Sequence, residues 1–338
     1  MTRRHTDSSY IDKLFQKRTL SPKTQKIIKI MVGFLWGGCL FFLFWKGWQS
    51  RDQIIVLFQR AEYVQLFGSM FFYLANLIAA MIGWLAIIRT FEGVPNWWKN
   101  LQIFSATFAV RRLPGTLWYI GGRLVMYQRL GVSKSVVLRA SAIELVAAFG
   151  TAGVVGIGLL LGTGEKFPIA LSSAVVLFAI GALILAHPWV FKRVLRPDDQ
   201  INLTHARKSD WMIWIVSFSV MWVLGGMMVV QMVKVFQPFL GAHEILYLIG
   251  AWALSGMAGL STIFLPSSFG ATELSLTVLL TKLLPLPVAG TIALATRIFT
   301  MLMEVILSAA FYPIVIRYYN NLQGEEGDKK TGDPTLGG

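Results

Sequence analysis

Six stretches of this chain, at 27–45, 69–88, 136–162, 169–191, 211–233 and 288–316, stay apolar over 19 residues or more. A helix rises 1.5 Å per residue, so about 20 such residues cross the ~30 Å hydrocarbon layer of a bilayer. Backbone N–H and C=O groups have no water to bond inside that layer, which leaves helices or closed barrels as the spanning forms. Runs this long and continuous predict helices. The fold class expected is all-α, a polytopic helical membrane protein. Composition agrees: 55% of the residues are hydrophobic, 14% are charged, and mean hydropathy is +0.60, with 12 Trp and 31 Gly. Such a chain is too apolar for a soluble enzyme, and Trp and Gly suit interfaces and close helix contacts.

Two further apolar regions do not read as simple spans. Residues 101–127 carry Pro114 and Gly115 near their middle, just after Arg111 and Arg112. Each arm is about 13 residues, or about 20 Å, too short to cross. Residues 244–284 carry Pro266, Ser267, Ser268 and Gly270 in the same role, with a longer leading arm. A helix broken by Pro and Gly at membrane depth survives only where protein or a wet cavity receives the freed backbone groups. Both regions are therefore expected to be re-entrant hairpins, which return the chain to the side it entered.

Basic residues test that topology. With two hairpins, the segments on the N-terminal side of the membrane hold 21 Lys or Arg and those on the other side six, the bias of the positive-inside rule. Reading 101–127 as a span would send Arg129, Lys134, Arg139 and the basic residues from Lys192 to Lys208 across. The net charge of +14 is thus a topological signal and not a nucleic-acid footprint. Residues 1–26, with Arg3, Arg4, Lys13, Lys17, Arg18, Lys23 and Lys26, form a basic cytoplasmic segment. The run 27–45 lacks a cleavage site and reads as an uncleaved signal anchor. Both termini are expected in the cytoplasm, and the setting is a bacterial-type inner membrane. Residues 54–68 are expected as an interfacial helix on the outer face, and 317–338 as a polar, disordered tail. The lone Cys39 excludes an internal disulfide and a cysteine metal cluster.

A shift of about 152 positions lays Leu113-Pro114 on Leu265-Pro266, 69–88 on 211–233, and 136–162 on 288–316. The chain then reads as two repeats, 27–162 and 163–316, each with three spans and one hairpin. Three is odd, so the second repeat is inverted, a build that recurs in alternating-access transporters. Charges follow the repeat with signs exchanged. Arg123 lies in the returning arm of the first hairpin and Glu144 in the next span; Glu273 and Arg297 hold those places in the second. With Arg111, Arg112 and Glu304, seven ionisable groups lie at membrane depth. At about 3 kcal/mol each their uncompensated cost is about 20 kcal/mol, so they must be paired, hydrated or bound.

Two readings stand for each. The pairs Arg123 with Glu144 and Glu273 with Arg297 either orient the helices or contact ligand. Arg111 and Arg112 either bind an anion or snorkel to the interface. Glu304, seven residues after Arg297 on one helix face, is either structural or proton-coupling. Gly153, Gly156 and Gly158 mark helix packing and not a phosphate loop. No nucleotide, metal or nucleophile motif occurs; His5, His187, His205 and His243 are scattered, and Asp198-Asp199 reads as a solvated turn. Neither a metal nor any other cofactor is expected.

The segments LPG at 113–115, Arg123, QRLGVSKSVVLRASAIE ending at Glu144, LPSSFGATE at 265–273 and Arg297 together resemble the flippase-like transmembrane region of the lysylphosphatidylglycerol synthases. That family includes stand-alone integral membrane proteins. The likeness covers about residues 25–318. The family's second motif runs Pro-Gly-Gly-x-Gly-x-x-Glu; Pro266, Gly270 and Glu273 match it, while Ser267 and Ser268 replace two glycines. The soluble synthase domain of the bifunctional members has no counterpart in the short tail. The resemblance implies lipid translocation without lipid synthesis, hence a transporter and not an enzyme. A membrane lipid would be the ligand, its phosphate engaged by Arg111, Arg112, Arg123 and Arg297, with coupling through Glu144, Glu273 or Glu304. The alternatives are an accessory protein for a lipid or glycan synthase partner and a membrane-embedded lipid-phosphate transferase.

Overall fold

The computed structural model of the chain describes residues 48, 51–52, 55, 63–91, 96–108, 118–164, 180–181, 184, 208–261 and 270–331. The chain divides into two units, 1–49 and 50–338; of the first, only Trp48 is described. Within the second unit, the described residues form eight helices and no strand: α1 (Tyr63–Ile88), α2 (Trp97–Ala106), α3 (Trp118–Gln128), α4 (Lys134–Gly162), α5 (Lys208–Lys234), α6 (Ala242–Ser261), α7 (Ala271–Leu280) and α8 (Leu286–Thr331).

Five of them, α1, α4, α5, α6 and α8, are long and apolar enough to cross a membrane. The expected spans 69–88, 136–162, 211–233 and 288–316 fall on α1, α4, α5 and α8; 27–45 lies outside the described residues, as does 169–191 apart from residues 180–181 and 184, which are helical. Exposure is inverted relative to a water-soluble protein. Phe71, Ile78, Val216, Val220, Val305 and Ile306 face outward, while Ser69, Asn76, Arg123, Glu144 and Glu304 are buried. That is the partition lipid imposes, since apolar groups cost nothing there and unsatisfied polar ones cost heavily.

The interrupted regions fold as two antiparallel helix pairs. In the first, Tyr127 meets Asn100 at the base, Arg123 lies over the Phe104 ring, and a methyl at Gly122 would touch Thr107 nearer the tip. In the second, the Tyr247 hydroxyl donates to the Leu279 carbonyl at the base, and Gly259 abuts Thr272 toward the tip. Side-chain caps start the helices where the backbone leaves four N–H groups unpaired: Asn96 accepts from the Lys99 N–H ahead of α2, and Ser133 from Val136 ahead of α4. At 10, 11 and 10 residues, α2, α3 and α7 reach about 15 Å. α6, with 20 residues, equals a span in length.

The repeat relation appears in the packing. α1 and α5, the equivalent helices, share the most extensive helix interface and run antiparallel, with Gly68 against Gln231, Asn76 bonded to the Met221 carbonyl and Gly83 against the Phe218 ring. Exchanging the halves maps several contacts onto one another: α2 with α8 matches α6 with α4, and α3 with α4 matches α7 with α8, whereas α4 packs on α5 more extensively than α8 does on α1. The contacts α4–α6, α6–α7, α7–α8, α8–α2, α2–α3 and α3–α4 close a ring of six helices. At the α4–α6 crossing, a methyl on Gly156 would meet Leu254 at 2.8 Å, and one on Gly250 the Gly156 carbonyl at 2.9 Å. A methyl on Gly158 would meet nothing within 4 Å.

Two boundaries differ from the expectation. Residues 63–68, assigned to an interfacial helix, are the first turns of α1, because Gly68 lets the helix continue flush against Gln231 of α5. The tail beyond 317, expected to be disordered, is helical to Thr331. Glu325 with Lys329 and Glu326 with Lys330 have the i, i+4 spacing and order that favour a helix in sequence of this kind.

Candidate functional site

The two charge pairs foreseen from the sequence form, but in unlike surroundings. On the first hairpin, Arg123 of α3 makes a two-pronged bond to Glu144 of α4, Nη1 to Oε2 at 2.5 Å and Nη2 to Oε1 at 3.3 Å. Its side chain is 0% exposed. Trp84, Phe104 and Tyr119 enclose the guanidinium, with ring centres 4.0, 4.6 and 4.9 Å from its carbon. The Trp84 indole N–H donates to the Tyr127 hydroxyl at 3.0 Å, which donates to Asn100 Oδ1 at 2.5 Å. One network thereby ties α1, both arms of the hairpin and α4. A guanidinium suits such a place, being planar, weakly hydrated and attracted to ring faces. The reading of Arg123 as a headgroup ligand does not fit this geometry: its charge is satisfied by Glu144 and its faces by the rings. Glu144 is likewise buried.

The second pair is half-open. Arg297 Nε on α8 lies 3.2 Å from Glu273 Oε1 on α7, with side chains 10% and 20% exposed. Glu273 also reaches back to the start of its own helix, where its Oε2 accepts the Gly270 N–H at 2.9 Å. This is the carboxylate half of a capping box. Gly270 holds a φ of +102°, which a side chain would disfavour. The Gly-x-x-Glu spacing is therefore a helix-start device that also fixes one carboxylate oxygen toward Arg297.

Beside this pair lies a cavity of about 180 Å³ bounded by α1, α5, α6, α7 and α8, so both repeats build it. Its polar wall holds Tyr73, Asn76, Thr272, Arg297 and Glu304, and Trp222 and Trp252 supply apolar surface. The buried Tyr73 hydroxyl donates to Glu304 Oε1 at 2.6 Å across the repeat interface. The Phe299 ring meets Tyr73 edge-on, 6.2 Å between centres. Asn76 is fixed by its 2.5 Å bond to the Met221 carbonyl, and Trp222 by its N–H to the Ala148 carbonyl at 2.9 Å. A side pocket of about 20 Å³ shares Trp252, Thr272 and Arg297 and adds Thr296, whose buried hydroxyl has no partner among the described residues.

The structure thus places Arg297 and Glu304 on the wall of one cavity and Glu273 on its side pocket, while Arg123 and Glu144 line neither. Arg111, Arg112, Pro114, Gly115, Pro266, Ser267 and Ser268 lie outside the described residues, as do Cys39, Asp198, Asp199, His5, His187 and His205. His243 is exposed at the start of α6. Sequence reasoning missed Tyr73, Asn76, Trp222, Trp252 and Thr272. Asn76 carried a usable signal, an amide in mid-span whose cost in lipid demands a partner. Fold and cavity define a multi-pass helical membrane protein with a chamber of mixed polarity lined from both halves. No family model, curated protein or solved structure matches the chain.

Proposed function

We propose that this protein is a lipid translocase, moving a phospholipid or an isoprenoid-phosphate-linked lipid between leaflets by alternating access at the repeat interface. The observation that carries the reading is the 180 Å³ chamber: both repeats contribute to it, charged side chains of both signs line it, and the surrounding helices present aliphatic side chains outward. A headgroup crossing bare hydrocarbon loses its hydration without compensation. Arg297 and its neighbours would replace that hydration by charge-assisted hydrogen bonds to phosphate, while the tails stay in the bilayer. The buried Arg123–Glu144 pair, which does not line the chamber, then serves as a rigid anchor. The resemblance to the flippase-like region of the lysylphosphatidylglycerol synthases supports the same reading, and the charge bias of the loops supports an inner membrane with both termini cytoplasmic.

The test is a vesicle assay on the purified full chain, with tail-labelled fluorescent phospholipids and an impermeant quencher added outside. Wild type should make the inner-leaflet label accessible within minutes, and Arg297→Ala should slow this at least tenfold while inserting normally. Vesicles with wild type that behave as protein-free ones, for phospholipid and isoprenoid phosphate alike, would remove the translocase reading.

A further inference from the structure

The two halves meet each other unequally. α4 of the first half packs on α5 of the second, whereas its counterpart α8 packs far less on α1, and the chamber lies in that looser place. α8 reaches α1 through long side chains, the Tyr73 hydroxyl bonding to Glu304 and its ring meeting Phe299 edge-on. At the equivalent joint the Trp222 indole of α5 donates to the backbone of α4 itself, at the Ala148 carbonyl. One joint is open and the other shut.

The shut joint holds polar groups that its packing leaves unused. α4 runs antiparallel to α6, with Gly156 against Leu254 and Leu160 against Gly250, and so does α5, with Gly226 against Ile249 and Trp222 against Gly256; α4 and α5 are therefore parallel. Ser141 precedes Ala148 by seven residues and Trp214 precedes Trp222 by eight, which sets both at one depth. Both are buried, and neither the Ser141 hydroxyl nor the Trp214 indole N–H has a hydrogen-bond partner among the described residues. Such groups are rare in native structures and call for an explanation, and hydration in a second arrangement of the helices supplies one.

We infer that a second, water-filled chamber opens between α4 and α5 as α8 closes on α1, wetting Ser141 and Trp214. Its use as the exit for a headgroup rests on the translocase reading. The Arg123–Glu144 pair stays formed and carries the first hairpin along with α4. Because Arg123 lies over Trp84, beyond the α1 residues from Tyr73 to Ala80 that line the first chamber, the second lies toward the other end of α1, as access to the opposite leaflet requires. The two states differ by which half supplies the open joint, and any change that loosens one joint shifts the population toward its own chamber.

The experiment measures thiol accessibility on the full Cys39→Ser chain in lipid nanodiscs, which leave both faces open to reagent. Ser141→Cys reports the second chamber and Thr272→Cys, on the wall of the first, reports the other. The probe is a trimethylammonium methanethiosulfonate, which reacts with hydrated, ionising thiols, and the rate is read as an intact-mass shift. Adding Trp222→Phe, which removes the tie to Ala148, should speed labelling of Ser141→Cys at least fivefold and slow that of Thr272→Cys. A Trp222→Phe background that leaves Ser141→Cys unreactive or unchanged, or that speeds both positions alike, overturns the inference. Should Ser141→Cys fail to elute as a single species, Ala148→Cys, whose carbonyl keeps the Trp222 bond, reads the same opening. Reciprocal labelling in a protein that moves no lipid upholds the second chamber and overturns the translocase reading; transport by a protein whose α4 positions never label does the reverse.

Discussion

Glu144→Gln isolates the worth of the sealed pair, because it removes one charge while keeping side-chain volume. Arg123 would stay 0% exposed beneath three rings, its charge uncompensated. Breaking a buried pair in this way costs about 3–5 kcal/mol. At about 2–4 °C per kcal/mol for a protein in this size range, the fall in apparent Tm should be near 10 °C. Unfolding in detergent is governed by rate, so variants are compared at one scan rate, by fluorescence-detected size exclusion after heating. The double variant Arg123→Met, Glu144→Leu replaces the pair with apolar groups, and Met keeps contact with the rings. Its Tm should recover to within about 3 °C of wild type, since an apolar substitute for a buried pair is near neutral. A Glu144→Gln protein as stable as wild type, or a double variant no better than that single one, would refute the claim that the charges act as a unit.

Three other outcomes are expected from the packing. Gly226→Ala drives a methyl to 2.5 Å from the Ile249 Cα, a backbone atom that cannot swing away, and should cost about 1–3 kcal/mol; Gly158→Ala, with nothing nearby, should be neutral or stabilising in the same thermal assay. Gly270→Ala, at φ +102°, should lose about 1–2 kcal/mol and loosen Glu273 from the helix start, read as slower lipid transfer with insertion unchanged. In a Cys39→Ser background, His243→Cys and Lys282→Cys should react with an impermeant maleimide from the same face of the membrane, because Lys282 lies over the Tyr247 ring at the base of the second hairpin; labelling from opposite faces would make 244–284 a crossing segment.

Much of the architecture was legible in the chain. Spans at 69–88, 136–162 and 211–233 lie within a few residues of the helix ends, since the length of an apolar run is set by bilayer thickness. The sign-exchanged spacing of Arg123, Glu144, Glu273 and Arg297 announced the two pairs, because lone charges at that depth are too costly to leave single. Which face of each helix turns inward was not legible. In a soluble protein the apolar stripe marks the core, but lipid is as apolar as the interior, so α4 and α8 show little periodicity and only small or polar residues betray the inner face. For the same reason nothing in the sequence set apart the Trp84, Phe104 and Tyr119 that enclose Arg123 from the Phe71 that faces out. The Tyr73–Glu304 bond joins residues 231 apart in sequence and arises from tertiary packing alone.

The closed ring of six helices has a mechanical meaning. The last helix of each half carries the leading arm of the other half's hairpin and the returning arm of its own, so each hairpin straps α4 to α8. In a linkage of that kind no single joint opens alone: widening one contact must tighten or slide another around the circuit. In the proposed alternating access, a gap on one side of the ring would be tied to closure on the other by geometry, which would guard the bilayer against a continuous leak.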